Sequence, residues 1–291
     1  MQYSYILSAL VASCSAHGVI TEIQGANKVT MPGLSVMDGT PRDCATPTCG
    51  SETDTSIIRT REMGGGKASA LGRNKAGPVD AAAAISMFMG TGTGAATKRS
   101  PALSDLLGGG AAGKGAAGAS GAGAASGAGQ KTAKGAMEQG VSRAAGTGAT
   151  SGLPTCSDSG EVKLVFHQVN QDGAGPLIAA IDPTSGGKDP AAFKEAQVTQ
   201  NVPGLGIGGL SAAQTTDFPV KVQMPAGMTC SGSVGGASNV CIVRLQNSAL
   251  AGPFGGSAAF TMSAGAKKRA VEYNLRKRHI ARGLLGKADL E

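Results

Sequence analysis

The chain has 291 residues, a formal net charge of +7, no tryptophan and only three tyrosines. Past the first sixteen residues no apolar run approaches the roughly 20 residues that span a bilayer, which excludes a transmembrane anchor. The charge is not a nucleic-acid signature: residues 264–291 hold eight Lys/Arg against three Asp/Glu, so the rest is nearly neutral and the basic end reads as a solvated or wall-binding tail.

In chain order, Tyr5 to Ala12 (YILSALVA) is a short apolar stretch followed by Ser13, Cys14, Ser15 and Ala16. That pattern predicts a signal peptide over residues 1–16, cut between Ala16 and His17, with cuts after Ser13 or Ser15 as rivals. The mature chain, 275 residues, is expected to be a secreted, extracellular monomer. Residues 17 to about 105 carry a short strand, a Cys-bearing loop and a helix running from Pro78, at its first turn, to Met89. Residues 108–152 read as a low-complexity insertion: between Gly108 and Gly129, 19 of 22 residues are Gly or Ala, too little apolar surface to offset ordering entropy.

Residues 156 to 263 are the most strand-like. The runs Val162 to Val169, Leu177 to Ile181, Phe218 to Met224, Val240 to Gln246 and Ala258 to Met262 are short, β-rich and separated by turn residues. Together these predict one mostly β domain over 17–263, an immunoglobulin-like β-sandwich with loop and helix insertions. A basic tail follows over 264–291, helical from Lys267 to Leu285, with dibasic pairs at Lys268-Arg269 and Lys277-Arg278 open to a secretory-pathway protease. Without Cys14, five cysteines remain, which predicts two disulfides and one leftover thiol. Cys230 and Cys241 flank a Gly/Ser-rich loop that they can close. Cys44 and Cys49 fit either one tight bridge or two separate ones.

The site argument rests on histidine. There are three in the chain: His17, His167 and His279. One falls at the predicted mature N-terminus, where its freed α-amine, of pKa about 8, and its ring Nδ1 can chelate one metal together. His167, at the end of a predicted strand before a polar turn, is the natural second ligand. Three nitrogens so arranged suit copper, which tops the divalent affinity order and takes tetragonal nitrogen sets. Phe260 is the candidate axial neighbour, Gln246 a candidate donor behind the ligands, and His279 is read as solvated.

The segments MPGLSV (Met31 on), DGTPRDC (Asp38–Cys44), SIIRTR (Ser56–Arg61), HQVNQDGAGP (His167–Pro176) and GPFGG (Gly252–Gly256) resemble the fungal appressorium-associated secreted family, the MAS-type or Egh-type virulence factors. That resemblance covers nearly all of 17–263 and implies a secreted fungal protein made around host or cuticle penetration. A looser resemblance, to lytic polysaccharide monooxygenases, rests on His17, His167 and GPFGG followed by Ala259-Phe260. It implies a copper histidine brace of His17 and His167, Phe260 as axial residue, and a polysaccharide of host surface, cuticle or fungal wall as substrate. Ser257 stands where many relatives have Cys, which would account for the unpaired thiol, and the lack of Trp leaves no stacking platform for sugar rings. A non-catalytic copper-binding or wall-interacting effector is therefore the alternative to an enzyme, and a structural surface protein is the third reading.

Overall fold

The computed structural model describes residues 17–92, 128–204 and 210–288. The expected signal peptide and the Gly/Ala-richest stretch, 108–127, lie outside the described residues.

The chain runs β1 (Gly18–Gln24), β2 (Thr30–Pro32), β3 (Ser56–Ile57), α1 (Thr60–Met63), β4 (Arg73–Asn74), β5 (Gly77–Pro78), α2 (Ala81–Met89), β6 (Gln130–Lys131) and α3 (Gly148–Ser151). It continues through β7 (Glu161–Gln168), β8 (Ile178–Asp182), β9 (Lys194–Gln200), β10 (Thr216–Gln223), β11 (Gly232–Val234), β12 (Ala237–Gln246), β13 (Phe254–Thr261) and α4 (Ala264–Ala288). The strands form one antiparallel sheet in the order β2-β1-β7-β10-β9-β8-β12-β13-β3-β4-β5, with β6 on β10 and β11 on β12. The mostly β fold is as expected, but its two layers are one continuous sheet that curls. Strand β9 is the corner. Lys194 to Ala196 pair with β8, Gln197 to Gln200 pair with β10, and a register irregularity separates Lys221 from Val222. Bulges are how strands turn such corners.

Alternation explains the core. Val162, Leu164 and Phe166 of β7 face inward with Phe218, Val220 and Val222 of β10 and share one cluster with β12 and β13, which are buried on both faces, Leu245 and Phe260 on one and Ile242 and Ala259 on the other. Each fully buried Leu, Ile or Phe there contributes about 1.5–3 kcal/mol by leaving water. β13 crosses β1 so closely that a Cβ on Gly256 would sit 2.8 Å from the Ile20 nitrogen, so only glycine fits.

Helix α2 differs from expectation at its start. Asp80, not Pro78, ends the preceding chain: its carboxylate accepts from the amides of Ala82 and Ala83, a normal N-cap, while Pro78 belongs to β5. Gly90 closes the helix at φ +68°, the left-handed position that suits glycine. The insertion also ends earlier than expected. Residues 128–152 belong to the fold: Val141 and Leu153 are buried in the main core, and Glu138 accepts a 2.7 Å bond from Arg42.

Two disulfides are present: Cys230–Cys241 closes its loop as expected, and Cys44 and Cys49 form the single tight bridge rather than two separate ones; among the described residues Cys156 is the free, buried thiol. Ser257 is not its missing partner. The Cys156 amide bonds to the Thr261 carbonyl, four residues further along β13, or about 13 Å at strand rise, beyond the span of a disulfide. No helix among the described residues is long and apolar enough to cross a membrane.

Candidate functional site

The site gathers at the start of β1, where three loops meet His17. The β1–β7 ladder pairs Gly18 with Gln168 and Val19 with His167, and it continues outward because the Val169 amide donates to the His17 carbonyl at 3.0 Å. Residues 17 and 167 are therefore diagonal neighbours on adjacent strands, a relationship that holds Cα atoms about 7–8 Å apart. Gly173 lets the 170–173 turn close over this point, since a Cβ there would meet the His17 carbonyl oxygen at 2.0 Å.

The two rings have different surroundings. His17 packs on Phe254, ring centroids 4.4 Å apart, and its Nδ1 lies 3.2 Å from Glu52 Oε1. Its backbone N–H donates to Asn170 Oδ1 at 2.7 Å, and Asn170 Nδ2 donates to Glu52 Oε1 at 3.1 Å. Both nitrogens of the expected chelate are thus held by a Glu52–Asn170 clamp. Glu52 is brought there by the loop behind it: Arg42 grips Asp54 with two bonds of 3.0 and 2.6 Å, both side chains buried. Bidentate pairs of this kind fix geometry as well as charge. Burial, and then the nearby charge of Asp172, push the Glu52 carboxyl up to about 7, against the bond from Asn170 that favours the carboxylate.

His167 is fully buried. It sits directly opposite Asp217 on β10, and its Nδ1 lies 2.7 Å from Asp217 Oδ1. Thr132 Oγ1 donates to Asp217 Oδ2 at 3.1 Å, holding the carboxylate from its far side. A carboxylate at Nδ1 places the ring proton there and leaves Nε2 as the lone-pair nitrogen. That Nε2 is buried and has no hydrogen-bond partner among the described residues, which is costly for a polar atom unless something else occupies its lone pair.

Phe260 is elsewhere. It pairs with Cys241 and is buried in the main core, six residues or about 20 Å of strand from Phe254, so the aromatic beside His17 is Phe254. Gln246 pairs with Gly255 and Ile178. His279 is exposed on α4. Among the described residues no three His, Cys, Asp or Glu side chains gather as a metal cluster. Sequence reasoning missed Glu52, Asn170, Asp217 and Phe254. Asn170 and Phe254 lay within the motifs HQVNQDGAGP and GPFGG, and that was their only signal.

The Egh16-like virulence factor family matches residues 15–255. The chain belongs to the Egh16-like family. It is 58% identical over 281 residues, 96% of this chain and 95% of the relative, to the appressoria-specific virulence factor GAS2 of Pyricularia oryzae. It is also 40% identical over 107 residues, 37% of this chain and 41% of the relative, to the appressoria-specific virulence factor GAS1 of the same fungus. No solved structure matches. The Egh16-like match takes in His17, Glu52, His167, Asn170, Asp217 and Phe254 of the site described above.

Proposed function

We propose that this Egh16-like chain is a secreted virulence-associated protein of the appressorium stage that binds copper through His17 and His167 and acts oxidatively on a polysaccharide of the host surface, cuticle or fungal wall. Two disulfides and the likeness to GAS2 support the secretory route, since disulfides persist in oxidising compartments. Removal of residues 1–16 turns the His17 amide into a free amine that Asn170 Oδ1 is already placed to accept from.

The observation that carries the copper reading is the His167 ring: Nδ1 held by Asp217, Nε2 buried and without a hydrogen-bond partner among the described residues, one diagonal step from His17. Metal-ligating histidines are oriented by such a carboxylate on the other ring nitrogen. The residues that would hold the ion are the His17 amine, His17 Nδ1 and His167 Nε2; bound copper supplies one-electron chemistry toward oxygen or peroxide. Asn170 orients the His17 backbone, Phe254 walls its ring, and an ion at Nδ1 would take the place of the Glu52 carboxylate there. A second reading, copper binding without turnover, is favoured by the absence of Trp from the sequence, which leaves few rings to stack on sugars.

The test is copper titration of the mature chain, followed by incubation with chitin and cellulose with and without reductant. Tight 1:1 binding with reductant-dependent oxidised oligosaccharides is expected. Tight binding without products selects the second reading, and no binding overturns both.

A further inference from the structure

We propose that the Lys277–Arg278 pair on α4 is a processing site for an endoprotease that cuts after paired basic residues, and that Lys268–Arg269 on the same helix is not. The inference rests on the secretory routing proposed above, because such proteases act there, but not on copper.

The helix has a latched part and an unlatched part. At its start Ser263 Oγ accepts from the Ala266 amide at 3.1 Å and donates to Asp158 Oδ1 at 2.7 Å. Ala266 and Ala270 are buried against the body, and Asn274 Nδ2 donates to the Gly227 carbonyl at 2.9 Å. Lys268 and Arg269 lie between those two alanines. From Leu275 to Ile280 every side chain is exposed, and Asn274 is the last side chain hydrogen-bonded to the body among the described residues.

A protease takes its substrate extended, so a helical site must first unwind. Past Asn274 that costs little. Residues 275–288 alone are near the length, about 12–15 residues, at which an unsupported helix is marginal. Gly283 and Gly286 each weaken it by about 1 kcal/mol relative to Ala. Opening the helix around Arg269 instead requires pulling Ala266 and Ala270 from the body and breaking the Asn274 bond. Local stability of this kind, rather than sequence, decides where a folded chain is cut. Water adds across the Arg278–His279 peptide bond, leaving a carboxylate on Arg278 and an amine on His279, and releases the segment from His279 on.

The test expresses the full chain in a secretion-competent fungal host with and without its dibasic endoprotease and weighs the protein from medium and cells. In parallel, full-length protein from the protease-deficient host is digested with the purified enzyme over time. The expected product ends at the Lys277–Arg278 pair, depends on the protease, and is lost in Arg278→Ala. A tail persisting through Glu291 in both arms, or first cleavage after Arg269, overturns the inference. If the protein stays in the cells, secretion fails separately and the purified digestion still decides the cut.

Discussion

Asp217 faces His167 directly across the β7–β10 ladder and reaches its Nδ1 at 2.7 Å. The carboxylate is the orienting group, so Asp217→Asn is expected to weaken copper binding by about 10–100-fold, the usual effect of removing a partner behind a metal ligand. His167→Ala is expected to abolish it. Competition against a copper chelator, with circular dichroism to confirm folding, measures both. Equal affinity of wild type and Asp217→Asn would leave the Asp217–His167 pair a purely structural contact.

A chain beginning one residue early keeps every side chain but has no free amine at His17. Mature protein carrying a single added Gly before His17 is expected to lose about 100-fold or more in copper affinity, equivalent to roughly 2.8 kcal/mol, with an unchanged melting temperature in chelator. Retained affinity would mean that the amine takes no part.

The two phenylalanines of β13 separate stability from the site. Phe260 belongs to the main core, and Phe260→Ala is expected to cost about 3–5 kcal/mol while leaving the copper spectrum unchanged. Phe254 packs on His17 with the rings tilted and their centroids 4.4 Å apart, and Phe254→Leu is expected to alter that spectrum with a smaller loss of stability. Paired denaturation curves and electron paramagnetic resonance of the two variants check the assignment.

What the sequence reveals follows what the physics leaves local. β7, β10 and β12 were legible because alternating apolar residues mark a half-buried strand whatever lies beside it. β9 was not: in Lys194–Gln200 only Ala196 is buried, and the strand exists because β8 and β10 both offer it a free edge. The stretch from 128 to 152 looked too poor in apolar side chains to fold, yet Arg42 reaches Glu138 across 96 positions of sequence to anchor it. Histidine rarity, with His17 at the expected cut and His167 at a strand end, pointed to that pair. Glu52 carried no such mark, because its place depends on the buried Arg42–Asp54 pair beneath its loop. Phe254 sits between proline and two glycines, which reads as a turn until β13 is paired.

Cys156 gives a quick check on the disulfide assignment. Burial pushes its thiol pKa up, which keeps it out of the reactive thiolate form. Native protein is expected to show no reaction with a thiol reagent at neutral pH, and one equivalent after unfolding without reductant. Three equivalents would mean that Cys44–Cys49 or Cys230–Cys241 is open.

Glu62 links pH to the geometry of the site. Its carboxylate accepts from Arg73 Nε at 2.6 Å and Arg59 Nη1 at 3.1 Å, and the Arg73 bond is the main reason its pKa falls to about 2. Arg59 in turn donates from Nε to the Gly252 carbonyl at 3.1 Å and from Nη2 to the Ala251 carbonyl, fixing the turn that delivers Phe254 to His17. A carboxylate whose pKa is lowered on folding contributes stability above its ordinary value near 4.5 and loses it as pH falls toward 2. Glu62→Gln is therefore expected to melt below wild type at pH 7, with the gap closing between pH 4.5 and 2. Thermal denaturation across that range reads it directly. A gap that stays constant down to pH 2 would mean that the ion pairs to Arg59 and Arg73 contribute nothing, and that the turn before Phe254 is held by its backbone alone.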